Sequence, residues 1–207
     1  MNERIPLLIL GLGNVLLEDD GVGAAAVSQL LDRFDVAEGV RVFDGGTLGL
    51  ALLPYVQSAD AVILVDAVRT DAAPGTLVRL DGDEVGPAVA TRLSPHQVGV
   101  ADLLDGARWL EQYPRRVVLW GLVPASMELA VGLSPPVHAS LSDLVDRVVD
   151  EARCMGFVCT PRVRLKPDTT AAGSVVRPKP DTTRVNEVDG TSADDRVVDV
   201  ARLAGMR

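Results

Sequence analysis

Leu7-Leu8-Ile9-Leu10, followed by Gly11-Leu12-Gly13-Asn14 and then by Asp19-Asp20-Gly21, is the stretch whose reading decides the fold. A continuous apolar run of this length suits a strand buried on both faces. The glycines break it. The two aspartates then open a helix pattern in which Val22, Ala25, Ala26, Leu30 and Phe34 fall near one face. Strand, glycine-rich turn and helix, in that order, are the opening of a βα unit.

The same alternation continues downstream. Val40-Arg41-Val42-Phe43 reads as a second strand closed by Asp44-Gly45-Gly46-Thr47, with a short helix over 50–57 behind it. Residues 61–65 form the third and most apolar strand, the expected centre of the sheet. Ala73-Pro74-Gly75 is a turn, and 76–80 alternates like an edge strand. Helix patterns cover 98–110, with Leu103, Leu104, Ala107 and Leu110 on one side, and 138–154; a buried strand over 117–122 separates them. The pattern predicts a three-layer α/β fold. Its sheet is mostly parallel and twisted, with helices on both faces and one antiparallel edge strand. Ligands of such folds sit outside the carboxyl ends of the strands, where Asn14, Asp44, Asp66 and Pro124 all fall.

Composition narrows the function classes. The chain has 207 residues, 47% hydrophobic but only 3% aromatic, so its core is aliphatic. A net charge of −9 repels phosphate backbones and argues against a nucleic-acid partner. The apolar run 5–10 is too short for a signal peptide, and no stretch approaches the ~20 residues of a membrane span. Cys154 and Cys159 read as reduced thiols. These features predict a cytoplasmic monomer with no membrane contact. Residues 1–158 form the expected globular domain. Within 159–207, Val163-Arg-Leu-Lys-Pro-Asp-Thr-Thr170 recurs as Val176-Arg-Pro-Lys-Pro-Asp-Thr-Thr183. Two copies this poor in apolar residues read as a disordered tail, with a marginal helix over 195–203.

Few residues carry chemistry. Gly11-x-Gly13 invites a dinucleotide reading, but Leu16 stands where the third glycine belongs. Asp19 and Asp20 suit a helix N-terminus, where one of them is expected to cap. Asp66 ends the most hydrophobic strand, where a carboxylate needs a hydrogen-bonding partner or a cation. His96, in Ser94-Pro95-His96-Gln97, is one of two histidines; the other, His138, reads as a structural helix entry. Two carboxylates and an imidazole make a site for a borderline transition metal. No Ser-His-Asp or Cys-His arrangement is visible. From residues alone, a metal-dependent enzyme, a non-catalytic metal-dependent binding module and a nucleotide-binding doubly wound domain all remain open.

Five segments together resemble the hydrogenase maturation endopeptidases. They are 11–23 (Gly-Leu-Gly-Asn-Val-Leu-Leu-Glu-Asp-Asp-Gly-Val-Gly), Asp44-Gly-Gly-Thr47, Val65-Asp-Ala67, Ser94-Pro-His-Gln97 and Gly132-Leu-Ser-Pro135, in the family's order and spacing over residues 5–157. The resemblance implies a phosphorylase/hydrolase-like fold. It also implies an endopeptidase that removes the C-terminal extension of a nickel–iron hydrogenase large-subunit precursor after nickel insertion. By motif position, Asp20, Asp66 and His96 become the metal-contacting and catalytic residues. Nickel is then recognised in the substrate, and no organic cofactor is implied.

Overall fold

The structure is a computed structural model describing residues 4–86 and 100–162. His96 with its Ser94–Gln97 segment, the start of the helix expected over 98–110, and the chain beyond 162 lie outside the described residues. A glycine-rich turn joins β1 (Ile5–Leu12) to α1 (Val22–Arg33). The short β2 (Phe34–Asp35) precedes β3 (Val40–Gly46), and α2 (Leu53–Ser58) leads into β4 (Ala59–Ala67). Then follow β5 (Leu77–Asp81), α3 (Val100–Trp109), β6 (Arg116–Leu122), α4 (Pro135–Cys154) and β7 (Thr160–Pro161).

Five strands form one sheet in the order β3-β1-β4-β6-β5. Four run parallel; β5 pairs antiparallel with β6 at the edge, as its alternating sequence predicts. The most apolar strand, β4, is central. The pleat of β1 explains why it reads as one apolar run. Leu7 and Ile9 face a core with Val22, Ala26 and Leu30 of α1 and Leu144, Val145 and Val148 of α4. Leu8, Leu10 and Leu12 face the opposite core, with Val56 of α2 and Leu103, Leu104 and Ala107 of α3. Each fully buried leucine stabilises the fold by roughly 1.5–3 kcal/mol, so both faces of the strand are committed.

Three local expectations shift. Phe34 lies beyond the helix: its backbone is extended and, with Asp35, it pairs antiparallel with Pro161 and Thr160. Ordered pairing therefore continues past residue 158. Leu110 follows the end of α3 and stands 57% exposed, because Glu111 takes a left-handed turn (φ 54°) that stops the helix. The last helix starts at Pro135, so His138 sits inside its first turn, with its N–H on Ser134 O. Prolines are tolerated there because first-turn N–H groups have no intrahelical acceptor. Among the described residues, no helix is long and apolar enough to cross a membrane.

Candidate active site

The site is built where β1 and β4 end side by side. Gly11 pairs with Val65, so Asp66 lies beside Leu12 at the carboxyl edge. Helix α1 starts tightly against this junction, and glycines are the reason. A Cβ on Gly23 would lie 2.2 Å from Leu12 O and 2.4 Å from Val65 O; one on Gly11 would lie 2.5 Å from Gly23 O. Gly13 has φ +115°, and a Cβ there would collide with the carbonyl of Asp20. The glycines that invite a nucleotide reading thus serve chain-on-chain packing.

The two adjacent aspartates have separate duties. Both lie in a 3-10 turn, Glu18–Gly21, ahead of α1, and neither caps that helix. Asp19 is fully buried. Its Oδ2 accepts from Ala125 N–H (2.8 Å), Ser126 N–H (3.2 Å) and Ser134 Oγ–H (2.8 Å), and its Oδ1 from Ser134 N–H (2.7 Å). These bonds satisfy the buried charge and clamp the 123–134 loop onto the turn. Glu18, in the left-handed region at φ 45°, is held by its N–H on Ala130 O. Asp20 is only half-buried. Its Oδ2 accepts the Asn14 N–H at 2.8 Å, and its Oδ1 accepts no hydrogen bond among the described residues.

Asp66 closes β4 with 4% exposure, and its Oδ1 accepts the Ala67 N–H at 2.8 Å. Gly121 stands opposite in register, where a Cβ would lie 2.3 Å from Asp66 O. Asp44 is exposed after β3 and shapes its turn by accepting the Gly46 N–H at 3.1 Å. The structure thus brings Asp20 and Asp66 to one corner of the carboxyl edge, while His96 lies outside the described residues. No three His, Cys, Asp or Glu side chains gather for a metal among the described residues. Cys159 is buried, and Cys154 is exposed at the far end of α4.

Sequence reading missed two features of this edge. One is the Asp19 clamp, hidden because a pair of aspartates before a helix looks like capping. The other is Arg69, three residues past Asp66, whose Nη2 and Nε donate to Met127 Sδ at 3.0 and 3.2 Å.

Comparison with known proteins bears on this geometry. A family model described as HycI, hydrogenase maturation protease, matches residues 24–151, a span that contains Asp66 and His96 and starts after Asp20. The hydrogenase 2 maturation protease of Escherichia coli K12 is 36% identical over 157 residues, 75% of this chain and 96% of that protein. The solved hydrogenase maturating endopeptidase HybD from E. coli superposes with a TM-score of 0.72 at 35% identity, covering 76% of this chain and 98% of the other. A [NiFe] hydrogenase maturation protease HybD from Thermococcus kodakarensis gives 0.54 at 25% identity, over 71% and 99%.

Proposed function

The chain belongs to the hydrogenase maturation protease family, and from that premise we infer that it removes the C-terminal extension of a nickel–iron hydrogenase large-subunit precursor once nickel is in place. The observation that supports this reading is that Asp20, in the turn after β1, and Asp66, at the end of β4, both lie at the carboxyl edge of these neighbouring strands. The third member of the site is His96. The protein acts in the cytoplasm as a monomer, needs no organic cofactor, and engages neither nucleic acid nor membrane.

Two carboxylates and one imidazole form a donor set suited to nickel, with coordination positions left for the precursor's own ligands. Asp20 is equipped for this: the Asn14 N–H holds one of its oxygens, and the other accepts no hydrogen bond among the described residues. Nickel here is part of the substrate, so cleavage requires a loaded precursor. The chemistry is amide hydrolysis. Water adds to the scissile carbonyl, the C–N bond breaks, and the leaving nitrogen takes a proton. The ion can polarise that carbonyl or acidify the water, and Asp20 or Asp66 can accept the water's proton.

Mass spectrometry of nickel-loaded and nickel-free precursor, before and after incubation, tests the reading. Loaded precursor should lose a short C-terminal peptide, and nickel-free precursor should stay intact. Binding without cleavage would instead make the protein a recognition module. Asp20→Asn, Asp66→Asn and His96→Ala should each remain folded and lose about two orders of magnitude or more in cleavage. Near-normal cleavage by all three would overturn the site.

A further inference from the structure

Resting on the protease reading above, we propose that Arg69 is a specificity residue that receives a carboxylate of the precursor segment lying along the active edge. Arg69 is exposed two residues past the end of β4, on the edge that carries Asp66. Among the described residues its guanidinium meets a sulfur and no carboxylate. Met127 Sδ accepts both of its hydrogen bonds, at 3.0 and 3.2 Å, and a thioether is a weak acceptor without charge. Asp71 and Glu128, its near neighbours in sequence and along the loop, form no ion pair with it. Elsewhere Arg33, Arg79, Arg108 and Arg116 are each held by carboxylates. In a chain of net charge −9, a cation at the active edge with no carboxylate partner among the described residues is conspicuous.

The site is also built. Asp19 fixes the loop by accepting from Ala125, Ser126 and Ser134, and that loop carries Met127. Met127 in turn holds the Nε and Nη2 side of the guanidinium toward this edge through an uncharged contact that a carboxylate can displace. A planar guanidinium prefers a carboxylate oxygen to a thioether sulfur and binds it through two parallel N–H donors. The recognised carboxylate belongs to the precursor segment that lies along this edge. It is either an acidic side chain or the terminal carboxylate of the extension.

The test is steady-state cleavage of the nickel-loaded precursor by wild type, Arg69→Met and Arg69→Lys, with thermal melts alongside. Arg69→Met should raise KM about tenfold, the effect of ~1.4 kcal/mol, with kcat within about twofold. Its melting temperature should stay unchanged, and Arg69→Lys should recover part of the loss. Added salt should raise KM for wild type and leave Arg69→Met nearly flat. Precursors with an amidated C-terminus, or with each nearby Asp or Glu neutralised in turn, identify the carboxylate. The one that matters weakens wild type and adds nothing to Arg69→Met. An unchanged KM in Arg69→Met, or a loss that follows a lowered melting temperature, overturns the proposal and leaves the protease reading standing. If wild type cuts nothing, the protease reading fails; calorimetric binding of the loaded precursor then decides Arg69 by the same comparison.

Discussion

Asp19 and Asp20 are neighbours of identical chemistry whose surroundings give them opposite roles. Asp19 is buried and accepts four hydrogen bonds from the 123–134 loop. Asp19→Ala leaves those donors without an acceptor and should lower stability by about 3 kcal/mol, with kcat retained at matched folded protein. Among the described residues the Asp20 carboxylate accepts one hydrogen bond, from Asn14 N–H, at a half-buried position. Asp20→Asn should change stability by less than about 1 kcal/mol while removing the charge proposed to meet the substrate's metal. Urea unfolding and precursor cleavage on the same two variants separate these outcomes. The pair was legible in sequence as a site feature, but its division of labour was not, because only the folded loop shows which carboxylate it covers.

Among elements, α1 and α4 are locked by different forces. Helix α1 sits so close to β1 and β4 that Gly23 has no room for a Cβ. Gly23→Ala should therefore destabilise by about 3 kcal/mol, measured as a lowered urea midpoint, since backbone rather than a flexible side chain must move. Helix α4 is tied to the edge strand by Glu151, 7% exposed, which accepts from Arg79, Arg116 and Trp120 at 2.9–3.1 Å. The hydrogen bonds from Arg79 hold the Glu151 carboxyl below its ordinary range, against the opposing effect of burial. A depressed folded pKa gives stability that is complete above the unfolded value of about 4.5 and lost as pH falls through the lower folded value. Glu151→Gln should thus cost about 1–2 kcal/mol at pH 7, with water at Arg79 and Arg116 limiting the effect. The difference from wild type should shrink below pH about 4.5 in urea titrations.

At the scale of the molecule, the E. coli relative is matched over 96% of its length by 157 residues of this chain. The repeated segments 163–170 and 176–183 hold too few apolar residues to build a core of their own. Truncation after Arg162 keeps its N–H on Arg33 O and its guanidinium on Asp35. We expect that truncated chain to melt within about 2 °C of full length and to cleave precursor normally. Loss of a cooperative transition would place the tail in the folding unit. The strand and helix alternation, the antiparallel edge and the carboxyl-edge position of Asp20 and Asp66 were determined by sequence, because burial on one or two faces imposes a local period that a linear pattern can carry. Glycine spacing was equally visible, but its purpose was not: only packing shows that Gly11, Gly13 and Gly23 meet backbone rather than phosphate. Tertiary structure alone decided that Asp19 anchors a loop more than 100 residues away, that Glu151 gathers cations from two strands, and that Arg69 rests on Met127. Those are long-range polar contacts, and a polar side chain's partner is set by where the completed fold brings another chain segment, which no local period encodes.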